Sequence, residues 1–465
     1  MKNFFKKYDL MKILFFVILF VTILTWFIPS GSFSGTEFVD KGLARIGIFD
    51  FFLTHFYAIY YFVLQILFIV VVGGFYGVLS KTKGYSALVN RISKAIKGRE
   101  TIFIVIVSLL LAVFTSINNE ILIGVLFVPF ITSILAKNGV DKFKIFASTF
   151  GAILVGLLGA TFSTFGYSYI NTSFGLKVTD AIGWKILVFV IAYILLMVFT
   201  FMKKKSKKEI QLYEDKFNVL ETKKGVKVWP IVTVLSIVAI LAIMGYIPWG
   251  ASFNISFFTE INDKIMNFQI GETPIFSYLF NGFNAFGSWD LFNLIFILLI
   301  ASFIINCISK NTVTDYIDNF MDGVKSVAKE IVVYILIQCV FIISYWTSIS
   351  SAVTNKLIPV GSEFNLFMLI LVALFASIVN IDHGFTGYTI GGYLASVYSS
   401  QALPTVFVLN TVFGFTQLIA PTSVLLFVGL SYLDISYKDY IKNMWKYLLG
   451  LLFFIVLVQV IFIYM

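Results

Sequence analysis

The chain has 465 residues, of which 59% are hydrophobic and 12% are charged. A soluble globular domain carries about twice that fraction of charged residues, so the composition excludes a soluble protein. The net charge of +10 does not indicate a nucleic-acid partner, because the basic residues lie in short segments beside apolar runs, as in membrane proteins. We therefore predict an all-α polytopic membrane protein whose surroundings are the lipid bilayer.

The first apolar run begins close to the N-terminus. Residues 1–29 have the basic and apolar parts of a signal peptide but no small-residue cleavage site, which predicts a retained first helix. Seven runs are long enough to cross a bilayer: 11–28, 58–80, 184–202, 229–247, 291–309, 330–349 and 445–463. With the interrupted apolar segments described next, the sequence predicts about nine to eleven transmembrane helices.

The charges between these runs predict the orientation of the chain. Segment 81–100 has six basic residues and one acid, and segment 203–227 has nine lysines and four acids, so we expect both in the cytoplasm. Segment 248–290 has four acids and one lysine, and we expect it outside. Three lysines within 434–446 place that loop inside. The N-terminus is then cytoplasmic, the C-terminus extracellular, and the membrane is the plasma membrane.

Two apolar segments are interrupted by polar residues at their centres. In 101–136 the centre reads "FTSINNEILIG" and both flanks are basic; in 364–400 the centre reads "NIDHGFTGYTIGG". A re-entrant hairpin satisfies the charge rule for 101–136, since both of its ends then lie in the cytoplasm. We predict two such hairpins that enter from opposite faces. Two full spans that cross close together are the alternative.

Each predicted hairpin is followed by an apolar helix that polar residues interrupt, at 145–170 and at 403–430. The sequence therefore predicts an inverted repeat with halves 1–202 and 229–465, joined by the basic cytoplasmic linker 203–228. Inverted repeats with discontinuous helices are typical of secondary transporters. Amphipathic patterns at 83–97 and 311–329 predict helices on the membrane surface.

The interruptions also predict where a polar site lies. Irregular backbone within a membrane survives only when it is buried in protein or faces a wet cavity. Breaks create helix N-termini that suit carboxylates and free carbonyl oxygens that can hold Na⁺. Glu120 and Asp382 lie at the two hairpin centres, and an intramembrane acid costs about 2.5–3.5 kcal/mol on insertion scales, so such acids usually carry cations or protons. A cap on a helix start is the structural alternative.

The remaining candidates are mostly neutral polar residues at the same interruptions. His383 is either a proton relay or a hydrogen-bonded structural residue. The candidate substrate-binding or ion-binding residues are Asn118, Asn119, Glu120, Thr161, Ser163, Thr164, Asp382, His383, Thr386, Thr416, Gln417, Thr422 and Ser423. The sequence shows no catalytic group or zinc-ligand spacing. We expect no cofactor beyond a coupling ion, either H⁺ or Na⁺ near Glu120 or Asp382.

Several stretches resemble the YfcC-like branch of the C4-dicarboxylate anaerobic carrier (DcuC) family, within the ion transporter superfamily. The stretch "GFTQLIAPTSVLLFVGLSYLDISYKDYIKNMWKYLLGLLFF" (414–454) is similar to the family's GFTN-LINPTSG segment and its following helix. Further similar stretches are "TWFIPSGSF" (25–33), "GGFYGVLSKTKGYSALVNRISKAIKGRE" (73–100) and "DNFMDGVKSVAKEI" (318–331). The resemblance implies a secondary carrier for small carboxylates or amino acids that works by an elevator motion.

This chain departs from the family pattern at the positions that would matter most. Asn118-Asn119 stands where the family has an acidic pair, and Ser163-Thr164 stands where it has an Asn-Pro pair. Ala420 replaces an asparagine and Phe413 replaces an aspartate. An arginine expected near Gln338 is missing. Acids without a matching arginine suit a zwitterion or a cation better than a dianion. The sequence thus predicts a transporter of a small amino acid or organic acid, coupled to a cation or working by exchange, and not an enzyme. A C4-dicarboxylate carrier and a passive channel are the alternative functions. The sequence is also compatible with a homodimer.

Overall fold

A computed structural model describes residues 9–162, 166–202, 210–217 and 225–464. Within these ranges eight helices are long and apolar enough to cross a membrane, and two shorter apolar helices, Ile121–Lys137 and Leu366–Val379, lie in the segments predicted as hairpins. The prediction of an all-α polytopic membrane protein is confirmed. The exact number of spans, expected between nine and eleven, stays a prediction.

The helices of the first half follow the apolar runs of the sequence. They are α1 (Asp9–Leu24), α2 (Ile48–Tyr61), α3 (Val63–Ser80), α4 (Lys83–Ile96), α5 (Glu100–Asn118), α6 (Ile121–Lys137), α7 (Lys142–Gly159, with a π-helical turn at Ala147–Gly151), α8 (Tyr167–Ser173) and α9 (Ile182–Met202). A two-stranded hairpin, β1 (Gly31–Ser34) and β2 (Glu37–Asp40), links α1 to α2. The run 58–80, expected as one span, is divided at Phe62 between α2 and α3.

The remaining helices follow the segment predicted as a linker, and the inverted repeat stays a prediction. These helices are α10 (Trp229–Tyr246), α11 (Trp249–Phe253), α12 (Phe257–Met266), α13 (Ile275–Leu279), α14 (Leu291–Ile308), α15 (Val313–Ser326), α16 (Ala328–Thr347), α17 (Ile349–Leu357), α18 (Leu366–Val379), α19 (383–397, with a π-helical turn at Gly387–Gly391), α20 (Ala402–Gln417), α21 (Val424–Tyr432) and α22 (Tyr437–Tyr464). The short strands β3 (Gln269–Ile270) and β4 (Thr273–Pro274) pair between α12 and α13, and a 3₁₀ turn spans Ser399–Gln401.

The two interrupted segments have the same local form at their centres. In the first, α5 ends at Asn118, Asn119 has a positive φ of 60°, and Glu120 is the extended residue that caps α6. In the second, Ile381 has a positive φ of 62° and Asp382 is the extended cap of α19. In each case the left-handed residue directly precedes the cap, so the following helix can begin at once. Below, residues 119–122 and 381–384 are called the first and the second tip.

The helices that follow these segments also end within the stretches predicted as broken helices. Helix α7 ends before Ala160, which is left-handed, and the next described helix, α8, begins at Tyr167. Helix α20 ends at Gln417 and α21 begins at Val424. Both gaps lie inside the segments 145–170 and 403–430 that the sequence predicts as broken helices. The gaps between these helices are called the first and the second break.

Packing brings the interrupted elements together at the centre of the molecule. The end of α7 packs against α5, α9 and α20, and α8 packs against the π-helical turn of α19. Helix α21 packs along α16, and α3 lies against α14 and α15. The buried apolar residues of these helices form one large core, which also covers the inner ends of α6 and α21. The polar tips are therefore held by apolar helices on several sides.

Candidate functional site

Both tips line a single open cavity of about 800 Å³. The first tip contributes Glu120 with the neighbouring Asn118, and the second contributes Asp382 and Gly384. The opposite wall comes from the start of α3 and from the polar residues around the ends of α10 and α14. The further lining residues of the whole cavity are Leu64, Gln65, Gly166, Ser168, Tyr169, Tyr246, Pro248, Gly287, Ser288, Trp289, Asp290, Leu291, Phe385 and Tyr388. We call this cavity the vestibule.

A smaller cavity of about 170 Å³ shares Glu120 and Asp382 with the vestibule. It is also lined by Tyr167 after the first break, and by Gln417 and Val424 on the two sides of the second. All four interrupted elements therefore meet around this cavity, which we call the inner cavity. Its remaining lining residues are Phe62, Gln65, Asn119, Ile121, Leu122, Leu157, Gly166, Tyr334, Gln338, Ile381, His383 and Phe413.

Glu120 and Asp382 each cap the helix that they precede. Oε1 of Glu120 accepts a hydrogen bond from the Leu122 N–H at 3.3 Å, and Oδ1 of Asp382 accepts one from the Phe385 N–H at 2.6 Å. A carboxylate at a helix N-terminus is stabilised by the free N–H groups and by the helix dipole. The helix N-termini at the two tips, which suit carboxylates, are thus occupied by carboxylates of the chain itself. An ionised carboxylate accepts about four hydrogen bonds, so both acids keep acceptor capacity toward the cavities.

The charges around the two cavities are of one sign. Asp290, the cap of α14, is a third acid in the vestibule wall, and none of the described residues that line either cavity is a lysine or an arginine. Aromatic rings complete the vestibule wall: Tyr169, Tyr246, Trp289, Phe385 and Tyr388. Carboxylates together with aromatic faces attract cations, and ammonium groups bind such surfaces. The arrangement is electrostatically matched to a cation or to the amine of a larger solute.

His383 lies behind Asp382 and is held on three sides. It is buried, its Nε2 lies 2.8 Å from Oδ1 of Asn410, and its ring stacks on Phe413 with a centroid distance of 4.3 Å. The ring of Tyr167 lies 4.5 Å away. Nδ1 of His383 and Nδ2 of Asn410 have no hydrogen-bond partner among the described residues. The histidine is therefore a well-packed residue with one unused ring nitrogen.

Asn118 and Asn119 differ in what their amides do. Asn118 closes the first tip, since its Oδ1 accepts the Glu120 N–H at 2.8 Å and its Nδ2 donates to the Phe114 carbonyl at 2.8 Å. The Asn119 carboxamide is buried in the inner cavity wall beside the Tyr167 hydroxyl, and neither of its polar atoms makes a hydrogen bond of good geometry within the described residues. Buried amides rarely lack partners, so Asn119 is available to a solute in the inner cavity.

Most of the predicted hydroxyl residues bond within the protein and do not line either cavity. Thr161 donates to the Ser116 carbonyl, Thr416 to Val412 and Thr386 to Asp382, while Ser423 caps α21 by accepting the Leu426 N–H. These hydroxyls satisfy local backbone, as Ser and Thr often do in membrane helices. Thr422 is buried with a hydroxyl that has no partner in the described chain, and Gln417 lines the inner cavity. Ser163 and Thr164 lie outside the described residues.

Several lining residues were not among the sequence candidates. Gln65, Tyr246, Trp289 and Asp290 reach the vestibule from helices far away in the sequence, and no local pattern marks them. Gln338 and Phe413 had a signal, because they stand where the resembling family has an arginine and an aspartate. Both line the inner cavity, as does Tyr334, one turn before Gln338 in α16. Three departures from the family pattern, at Asn119, Gln338 and Phe413, therefore lie around the same cavity as the two acids, whereas Ala420 does not line it.

Comparisons with known proteins place the chain in a family. A family model described as C4-dicarboxylate anaerobic carrier, DcuC, matches residues 8–465. Two solved structures are similar at low identity. The YdaH transporter of Alcanivorax borkumensis is 12% identical with a TM-score of 0.40, over 96% of this chain and 96% of that chain. MtrF of Neisseria gonorrhoeae, described with a class of antimetabolite efflux pumps, is 13% identical with a TM-score of 0.38, over 98% of this chain and 95% of that chain. No curated protein matches the chain.

Proposed function

Because the chain belongs to the C4-dicarboxylate anaerobic carrier (DcuC) family of membrane transporters, we propose that it is a secondary active transporter of the plasma membrane for a small amino acid or organic acid that carries an amine. The observation that carries this proposal is the charge around the cavities. Glu120 and Asp382 line both cavities, Asp290 adds a third acid, and the described lining residues include neither lysine nor arginine.

The amine would bind at the two tips. Glu120 and Asp382 keep unused acceptor capacity after capping their helices, and they face one shared space. A cation placed there would be attracted by both carboxylates, and the partial burial of Glu120 strengthens that attraction relative to bulk water. In this proposal the aromatic side chains of the vestibule surround the rest of the solute.

The carboxylate of such a substrate would lie deeper, in the inner cavity. Neutral groups that can donate hydrogen bonds are found there: the amides of Asn119, Gln338 and Gln417. Helix α21 also begins at this cavity, and its cap, Ser423, is neutral, so its N-terminal dipole is not compensated by a carboxylate of the chain. Asn119 supports this placement most directly, since its buried amide lacks a partner of good geometry within the described chain.

Coupling of transport to an ion gradient would use the same two acids, Glu120 and Asp382. A carboxylate that binds H⁺ or Na⁺ together with the substrate would couple transport to the gradient of that ion. Exchange of one amine for another would use the same site without a second ion. In either case the tips and the breaks would move together past α3 and α16, which is the elevator motion that the family resemblance implies.

A passive channel is less compatible with the packing beyond the inner cavity. The next space along α6 and α21 is a void of about 30 Å³, which is lined by apolar side chains except for Glu330 and Tyr432. A water molecule needs two to four polar partners, so this layer does not conduct water or ions in the described state. The polar residues thus form a site that is closed on one side, as a carrier requires.

A C4-dicarboxylate is the second candidate substrate, because it is the substrate in the family's description. A dianion would have to bind beside Glu120 and Asp382 without a basic lining residue to neutralise it. Like charges in a low-dielectric site repel strongly, so this candidate requires bound H⁺ or Na⁺ to neutralise both acids.

A thermal-shift screen distinguishes the two candidates. The purified protein would be heated with zwitterionic and cationic amino acids and with C4-dicarboxylates, each with and without Na⁺. A ligand at 100 times its Kd stabilises the native state by about 2.7 kcal/mol, so a bound amino acid raises Tm measurably. We expect amine-bearing compounds to raise Tm and their N-acetyl derivatives to have no effect. Stabilisation by C4-dicarboxylates alone would contradict the proposal.

A further inference from the structure

Residues 210–217, which we call the strap, cross the protein on the side away from the vestibule. The strap begins against the loop between α6 and α7. The Gln211 N–H donates to Oδ2 of Asp141 at 2.9 Å, and the Lys142 N–H donates to the Gln211 carbonyl at 2.8 Å. Tyr213 is buried, and its ring lies 5.8 Å from the ring of Tyr432 at the end of α21. This part of the strap is thus attached to the helices that follow the first tip and the second break.

The other end of the strap is attached to a different set of helices. Lys216 Nζ lies 2.8 Å from Oε1 of Glu330 in α16, and Phe217 is buried with its ring 5.6 Å from the ring of Tyr76 in α3. Ser431 at the end of α21 donates to the same Glu330 oxygen at 2.8 Å. One carboxylate therefore joins the strap, α16 and α21. The strap bridges a boundary between two groups of helices, α6 with α21 on one side and α3 with α16 on the other.

This boundary leads directly to the inner cavity. Tyr334, one turn after Glu330 in α16, lines that cavity, and so do Leu122 and Val424 at the starts of α6 and α21. One helical turn rises about 5.4 Å, so the strap lies only a few turns from the candidate site. The 30 Å³ void lies between the inner cavity and the strap, and Phe217 and Glu330 form the wall of the void on the side of the strap. A solute that leaves the inner cavity in this direction must pass the void and then the strap.

The Glu330 side chain is only 2% exposed and that of Lys216 is 15% exposed. The second carboxylate oxygen of Glu330 is buried without a partner in the described chain. Glu330 therefore depends on Lys216 for its neutralisation, and loss of the lysine leaves a buried charge unpaired. Such a pair holds two elements together while it is formed and favours their separation once it is broken.

We propose that the strap is a gate: the Lys216–Glu330 ion pair holds residues 210–217 across the boundary between the two helix groups and closes the inner cavity on this side. Opening of the inner cavity toward this side then requires the ion pair to break and Phe217 to move away from α3. This inference does not depend on the identity of the substrate, and it can be tested without transport or ligand.

The test measures how fast a cysteine beneath the strap reacts. Val428 is 4% exposed and lines the void. Val428→Cys would be introduced with Cys307→Ser and Cys339→Ala, and the purified protein in detergent would be treated with a charged, bulky maleimide. We expect Lys216→Met to raise the labelling rate at least fivefold above that of the parent. An unchanged rate in a folded Lys216→Met protein would overturn the gate.

Three further variants separate the gate from a general loosening of the structure. Lys325→Met removes the exposed pair that Lys325 makes with Asp322, nearby in α15, and should leave the labelling rate unchanged. Lys216→Glu with Glu330→Lys restores the pair in reverse and should return the rate to within twofold of the parent. If Lys216→Met does not fold, Lys216→Met with Glu330→Gln removes both charges and should give the same fivefold increase. Equal increases in the control and the test variant would also refute the gate.

Discussion

At the scale of single residues, the two acids have a structural and an electrostatic role at once. Each caps a helix with one oxygen and lines both cavities. The capping role was the alternative that the sequence left open, and both acids fill it, while their remaining acceptor capacity faces the cavities. The backbone at the second tip is also strained, because Ile381 is β-branched and has a positive φ. Strain of this kind persists where the surroundings over-determine the backbone, which is common at functional sites.

The two roles can be separated by amide substitutions. Asparagine caps helices about as well as aspartate, so Asp382→Asn should change the free energy of unfolding by less than about 1 kcal/mol. The substitution removes the charge that an amine would pair with. We therefore expect the best amine of the thermal-shift screen to bind at least tenfold more weakly, which equals about 1.4 kcal/mol of binding free energy. Uptake into proteoliposomes should fall in parallel. Glu120→Gln should act in the same direction.

Glu363→Gln is the matched control, since Glu363 is an exposed acid that lines neither cavity. It should leave binding and uptake unchanged. An Asp382→Asn protein that binds and transports as well as the parent would remove Asp382 from the proposed site, whatever the result for Glu120.

The sequence predicted the two acids but not which hydroxyls face the cavities. Glu120 and Asp382 stand out because charge is rare within apolar segments. Thr161, Thr386 and Thr416 are equally central in the sequence, but their hydroxyls donate to the protein's own backbone. The direction of a hydroxyl depends on its rotamer and on the nearest free carbonyl, and neither is visible in a pattern of residue types.

At the scale of elements, glycines explain how the amphipathic helix α15 packs closely against α3. Gly73 and Gly77 of α3 face Gly323 of α15, and the two backbones are in contact. Gly323 is also the one residue of α15 that is buried. Without side chains at the crossing, the axes approach closely enough for van der Waals contact along the backbone, as in other helix pairs of membrane proteins. The sequence predicted α15 as an amphipathic helix, but it did not predict its partner.

A methyl group at this crossing should therefore be costly. A Cβ at Gly323 would overlap the Gly73 carbonyl oxygen and would lie 2.7 Å from the Gly77 Cα, and neither backbone can move away easily. Overpacking of this kind costs about 1–3 kcal/mol, so we expect Gly323→Ala to lower Tm by several degrees in a thermal melt of the purified protein.

Gly183→Ala is the comparison for this substitution. Gly183 lies in the first turn of α9 with open space around its Cα, so alanine there should leave Tm unchanged or raise it slightly. Equal melting temperatures for the Gly323→Ala and Gly183→Ala proteins would show that the crossing tolerates a side chain.

At the scale of the whole molecule, the candidate site is open at one end and closed at the other. The vestibule wall contains Ser288, Trp289 and Asp290, from the acidic segment 248–290. The strap belongs to the basic segment 203–227, and the adjoining segment 434–446, expected as a loop but helical from Tyr437, is basic too. The apolar runs and their polar interruptions predicted the interrupted helices, and the charges predicted on which side of the membrane these segments lie. These patterns could not predict that the two tips and the two breaks, which are distant in sequence, converge, because convergence depends on long-range packing, as in the contacts of α7 with α20.

The charge difference between the two ends leads to a prediction for the orientation in the cell. Because basic segments stay in the cytoplasm, the vestibule should open outside and the strap should face the cytoplasm. Ser288 and Lys438 are both exposed and lie at the two ends. In the background without Cys307 and Cys339, an impermeant maleimide added to intact cells should label Ser288→Cys and should label Lys438→Cys only after the cells are permeabilised. The reverse pattern would place the vestibule in the cytoplasm and the strap outside, and the gate would then control release to the exterior.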